Sequence, residues 1–145
     1  MKISKATEKE LEIVSILANK MWKESSVQDL ENEFKNVLVS YDNAVYIAEQ
    51  NGNPIGFAHC SLRKDYVEGT ESRPVGYLEG VFVDVEYRRK GFAKELVYAC
   101  EEWASQKGCR EFASDCELEN KESICFHEHA GFSETNRIIC YVKKI

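Results

Sequence analysis

A chain of 145 residues, 43% hydrophobic and 30% charged, with two prolines and a formal net charge of -6, has the make-up of one ordinary globular domain, and residues 1–145 are expected to form one. Its apolar content excludes an intrinsically disordered chain, and its acidic balance argues against a general nucleic-acid binder. No apolar run approaches the roughly 20 residues needed to cross a bilayer, and the polar start MKISKATEKELEIV lacks a signal-peptide core, so no membrane partner and a cytoplasmic location are expected.

Residues 2–6 alternate like a short strand, and Thr7 with Glu10 forms a capping box opening a helix that buries Leu11, Val14, Leu17 and Met21 and closes at Trp22. A second helix is expected over residues 26–39, with Leu30, Phe34, Val37 and Leu38 inward. The period then changes. Residues 44–49 and 55–63 read as strands joined by NGNP, whose Asn-Gly is a hairpin turn. DYVEGTESRP, residues 65–74, reads as an exposed loop, and residues 75–83 as a long strand.

Apolar positions 93, 96, 97, 100, 103 and 104 mark an amphipathic helix over residues 92–107, ended by Gly108. A short strand at 111–114, a helix at 122–130 stopped by Gly131, and a last strand or hairpin arm over 133–143 complete the chain. Strand, glycine turn, helix, strand is a βαβ unit, so the strands beginning near Val75 and Glu111 should be parallel and the rest antiparallel. The expected class is α/β, a mixed sheet with helices on both faces.

Six cysteines, Cys60, Cys100, Cys109, Cys116, Cys125 and Cys140, include no C-x-x-C pair and read as small buried hydrophobes. His127 and His129 lie two apart and cannot share a helix face, so no metal site is expected.

Within EYRRKGFAKELV, Arg88, Arg89, Lys90 and Lys94 surround Gly91 at a strand-to-helix junction in an otherwise acidic chain. Such a turn presents unpaired backbone N–H groups and the positive end of the helix dipole, Gly91 permits close approach, and Ala93 keeps the first turn narrow. That combination suits a phosphate; a solvated basic face is the alternative.

Arg88-Arg89-Lys90-Gly91-Phe92-Ala93 resembles the R/Q-x-x-G-x-G/A signature of the GNAT N-acetyltransferases, in which the turn holds the pyrophosphate of acetyl-coenzyme A. HEHAGF stands where that family has a Y-E-K-x-G-F-like segment, and LRKDYVEGTESRPVGYLEGVFV with REFASDCELEN is similar to one branch of the aminoglycoside 6′-N-acetyltransferases. The resemblance implies acetyl-coenzyme A as co-substrate, held by the turn from Arg88 to Lys94, including Phe92, and by Asn120, whose alternative role is a helix N-cap. Val81, Phe82 and Val83 are expected to pair their backbone with the pantetheine arm, as an added strand pairs with a sheet edge.

Acetyl transfer to an amine needs a group that holds the ammonium and takes its proton. Glu79 interrupts the apolar strand VGYLEGVFV, where an unpaired carboxylate is costly, so it wants a cation: a substrate ammonium, or structurally Arg63 or Arg110. Asp115 lies at the carboxyl end of the neighbouring parallel strand, where ligands of open α/β sheets bind; turn formation is its alternative. By the resemblance both carboxylates contact substrate and Asp115 serves the 6′-amine, while Trp22 and Tyr66 line the site or else pack structurally.

Two departures stand out. His127 occupies the place of a tyrosine that protonates the departing thiolate, a role open to imidazolium. Asn136 stands where close relatives carry a substrate-binding glutamate. Cys116 adjoins Asp115 but has no base at a recognisable spacing, so direct transfer is expected rather than an acyl-cysteine. The expected activity is acetyl-coenzyme A-dependent acetylation of a polycationic amine, foremost the 6′-amine of an aminoglycoside, by a homodimer. A polyamine, metabolite or protein amine, or a silent coenzyme A-binding module, are the alternatives.

Overall fold

The computed structural model describes residues 1–145. β1 (Lys2–Lys5) leads to Thr7, whose backbone N–H donates to Glu10 Oε2 at 2.7 Å while its hydroxyl oxygen accepts from the Lys9 N–H, the capping box expected from the sequence. One 3-10 turn, Glu8–Glu10, intervenes before α1 (Leu11–Met21). α2 (Val27–Val37) starts at Ser26, whose Oγ accepts from the Asp29 N–H at 3.0 Å.

β2 (Asn43–Gln50) and β3 (Asn53–Arg63) form the predicted hairpin. Asn51 and Gly52 between them have φ of 53° and 79°, the paired left-handed conformation of a type I′ turn. β4 (Val75–Val83) pairs antiparallel with β3, and α3 (Phe92–Gln106) crosses back to β5 (Phe112–Ala113), which is parallel to β4. α4 (Lys121–His129) follows. The sheet order is β1-β2-β3-β4-β5.

Helices lie on both faces. α1 and α2 bury Val14, Leu17, Leu30 and Phe34 against Val45, Ile47 and Phe57 on one side. On the other, α3 seats Leu96, Val97, Cys100 and Trp103 on Ala58, Cys60 and Leu78. Gly76 is the tight point of that second layer: a Cβ built there would stand 2.6 Å from the Ala104 Cβ and 2.7 Å from a Phe112 ring carbon. The missing side chain lets α3 and β5 close on β4.

Two expectations are corrected. Residues 133–143 form no strand: β5 is only two residues long, and the segment is tied instead to the loop before β4, Asn136 Nδ2 donating to Glu68 Oε1 at 2.9 Å. Ile138, Ile139, Tyr141 and Val142 on it are exposed. The cysteines are buried only in part, because Cys60 and Cys100 face the α3 layer whereas Cys125 and Cys140 lie on exposed surface. The loop 65–74 is mostly exposed as expected, and it is anchored by Val67, buried with Val75 and Tyr77, and by Glu111, which accepts from the Glu71 and Ser72 N–H groups at 2.8 Å each.

Gly76→Ala should destabilise the fold by about 1–3 kcal/mol, because neither Ala104 nor Phe112 can retreat without moving its own element. Urea titration of the variant beside the parent measures this directly.

Candidate active site

β4 and β5 pair only at Gly76–Phe112 and Tyr77–Ala113 and then separate. From Glu79 to Phe82 the strand is correspondingly less covered than its buried first half. Ser114, Asp115 and Glu79 all follow the point of separation. The register against β3 shifts here as well: His59 faces Gly80 and Cys60 faces Leu78, leaving Glu79 as the extra residue of a bulge.

Glu79 takes the structural cation that the sequence left as its alternative. Its Oε1 accepts from Ser61 Oγ at 2.6 Å and from Arg63 Nε and Nη2 at 3.1 Å each, and its Oε2 accepts from Arg63 Nη2 at 3.0 Å. Burial acts to raise the Glu79 carboxyl, but the bonds from Arg63 and Ser61 and the Arg63 charge outweigh it and hold the group below the ordinary carboxylate range. Burial pushes the neighbouring His59 down to about 4, so this ring, bonded through Nε2 to Asn43 Oδ1 at 2.8 Å, is neutral at pH 7.

Asp115 is tied to the same network. Tyr77 donates its hydroxyl to Asp115 Oδ2, and the Arg63 guanidinium lies 3.4 Å from the Tyr77 ring centroid. Burial, then the bond to Asp115, raise the Tyr77 phenol above its usual value, so it remains a donor. The two carboxylates predicted to line one acidic site are thus joined by Arg63 and Tyr77. Tyr77 had read as a core strand residue, and only the pairing of β4 with β5 reveals its hydroxyl's partner.

Trp22 stands over this bulge. A Cβ on Gly80 would lie 3.0 Å from the Trp22 Cη2, and the indole packs 6.1 Å from Phe57 and 6.5 Å from Phe34, centroid to centroid. It takes the packing role that was its alternative reading, while keeping 36% of its surface exposed. Tyr66 and Asn136 converge on a residue the sequence did not single out: Tyr66 Oη donates to Glu68 Oε2 and Asn136 Nδ2 to Glu68 Oε1, at 2.9 Å each.

His127 is occupied at both ring nitrogens. Nδ1 lies 2.7 Å from the Ser123 carbonyl, which can only accept, so Nδ1 carries the proton and Nε2 receives the Ser114 hydroxyl at 2.7 Å. The Ser114 hydroxyl, from a residue with no signal of its own in the sequence, thus occupies the acceptor nitrogen of His127.

At the other end of β4, Gly91 has φ of 90° and opens α3, with no side chain capping the helix. The N–H groups of Phe92, Ala93 and Lys94 lack intrahelical acceptors, and a Cβ on Gly91 would meet nothing within 4 Å. That is the open, amide-lined concavity an anion requires. Arg89, Lys90 and Lys94 are exposed around it. Arg88 is committed differently: its Nε donates to the Val83 carbonyl at 2.8 Å and Nη1 lies 3.5 Å from Glu122. Asn120 performs the capping of its alternative reading, Oδ1 accepting from the Ser123 N–H at 3.1 Å. Val81, Phe82 and Val83 lie on the length of β4 that β5 leaves unpaired.

An acidic cleft and a phosphate-ready turn at two points along one splayed strand can hold a cationic amine and an anionic acyl carrier together. Comparison with known proteins agrees. The model of the acetyltransferase (GNAT) family matches residues 9–132. Aminoglycoside N(6′)-acetyltransferase type 1 of Acinetobacter haemolyticus is 38% identical over 145 residues, covering 100% of this chain and 99% of that one. The protein of the same name from Salmonella typhimurium is 48% identical over 101 residues, 70% of each chain. The solved structure of AAC(6′)-Iy with the bisubstrate analogue CoA-S-monomethyl-acetylneamine superposes with a TM-score of 0.95 at 38% identity, over 99% of this chain and 98% of that one. The chain belongs to the acetyltransferase (GNAT) family, on the branch that includes the aminoglycoside N(6′)-acetyltransferases.

Proposed function

We propose that residues 1–145 act as one N-acetyltransferase unit that moves an acetyl group from acetyl-coenzyme A to the 6′-amine of an aminoglycoside, in the cytoplasm. The observation that carries this reading is the splay of β4 from β5, which sets Glu79 and Asp115 at the same opening that leads along β4 to the Gly91 turn. The names of the relatives support the choice of amine.

The residues present fit acetyl-coenzyme A, since the Gly91 turn has open space, free helix-terminal amides and exposed Arg89, Lys90 and Lys94 for its phosphates. Val81 to Val83 offer their backbone to its pantetheine arm, and Asn120 retains its side-chain Nδ2 as a donor for the same arm. When bound, the group supplies the activated acetyl. Glu79 Oε2, with a single donor, has room for an ammonium. Asp115, oriented by Tyr77, holds the reacting amine and accepts its proton. Trp22 and the Tyr66–Glu68–Asn136 cluster border the sugar rings. His127 serves proton transfer through the Ser114 hydroxyl.

The protein acts as a homodimer in this reading, because Ile138, Ile139, Tyr141 and Val142 are apolar side chains left exposed on the single chain, and a second copy would cover them. Sedimentation should give the mass of two chains, and Ile139→Asp with Val142→Asp should return it to one.

Thiol release from acetyl-coenzyme A should be seen with kanamycin or tobramycin and not with spermidine or a lysine peptide. Turnover of the last two alone overturns the substrate assignment. Asp115→Asn should lower kcat by about 100-fold or more while leaving coenzyme A affinity within about twofold, the pattern of a lost base. Equal losses would mark Asp115 as structural.

Gly91→Ala and Gly52→Ala form a matched pair, since both glycines have φ well above zero and open space at the Cβ position. Each substitution should cost about 1–2 kcal/mol of stability through backbone strain. Only Gly91→Ala should weaken coenzyme A binding, by about tenfold or more, in calorimetric titration.

A further inference from the structure

Glu79 and Asp115 do not present two free negative charges. Arg63, the last residue of β3, donates to both oxygens of Glu79, stacks on the ring whose hydroxyl holds Asp115, and keeps 42% of its side chain exposed at the cleft. His59, the other base facing Glu79, is neutral at pH 7. Glu79, Asp115 and Arg63 together carry one net negative charge rather than two.

We propose that Arg63 is a specificity-determining residue for the amine: a resident cation that competes with the incoming ammonium for Glu79 and limits how tightly the cleft holds polycations. The inference rests on the reading that this cleft binds the substrate amine. The bonding pattern says where competition falls. Glu79 Oε1 already has three donors, from Ser61 and twice from Arg63, and Oε2 has one, so an ammonium approaches Oε2 against the guanidinium charge.

This role has the opposite sign from a structural one. If Arg63 merely steadied Glu79, removing it would loosen the carboxylate and weaken amine binding. As a competing cation, its removal tightens binding. Tobramycin titrated calorimetrically into cofactor-free protein should bind Arg63→Gln about fivefold or more tightly than the parent, the size of one screened unit charge a few ångströms away. The added affinity should fade as salt is raised. Arg63→Met keeps an apolar stem over the Tyr77 ring and should behave like Arg63→Gln if the latter folds poorly, whereas Arg63→Lys retains the charge and should stay within about twofold of the parent.

Unchanged or weaker tobramycin binding in both Arg63→Gln and Arg63→Met, with Glu79→Gln still weakening it, overturns the role of Arg63 alone. Tobramycin binding untouched by Glu79→Gln and by Asp115→Asn overturns the cleft reading and this inference with it.

Discussion

The parallel pairing of β4 with β5 lasts two residues, and the rest of the functional surface depends on its ending there. A parallel strand kept in register for its full length would bury Glu79 beside a neighbour and leave no backbone open between Val81 and Val83. Stopping at Tyr77 and Ala113 turns one long strand into two regions: a covered half that packs α3 through Gly76, and an open half that carries an acid at its start and an amide-rich turn beyond its end. The bulge at Glu79 strengthens the division, because an extra residue bends the strand where its partner departs.

Charge is distributed along that opening with the same economy. The chain has a net charge of -6, yet its positive groups gather at the start of α3, where the helix dipole already favours an anion. The acidic end lies where the sheet has least cover. The acidic end does not stand uncompensated. Arg63 and Ser61 bond Glu79, Tyr77 bonds Asp115, and Arg88 is held by the Val83 carbonyl. Polar groups that must be ready for a ligand are thereby kept satisfied, which avoids the cost of burying them unpaired.

The loop before β4 shows how local chemistry and packing divide the work. Val67 anchors it beneath Tyr77, Glu111 gathers its backbone amides, and Glu68 collects Tyr66 from its own loop and Asn136 from 68 residues further along the chain. Tyr66 and Asn136 were each singled out only through resemblance. Glu68 was not legible at all, since a glutamate in a polar loop carries no periodic or motif signal. Ser114 escaped for the same reason, and Arg63 was named but ranked behind a substrate ammonium because no spacing rule joins it to Glu79.

By itself the sequence determined most of the elements and the open turn at Gly91, because both rest on short-range rules: capping at Thr7 and Ser26, the Asn51-Gly52 turn, the apolar period of α3, and a glycine at a strand-to-helix junction amid basic residues. Tertiary structure alone decided who partners whom. That Arg63 rather than solvent meets Glu79, that Tyr77 reaches Asp115, that Ser114 bonds His127, and that Asn136 joins the loop before β4 are contacts across 13 to 68 residues of chain. They follow from where the strands separate and from which edge is left unpaired. Side-chain period and propensity describe what a segment is willing to form, whereas the length over which two strands stay hydrogen-bonded is set by everything packed against them.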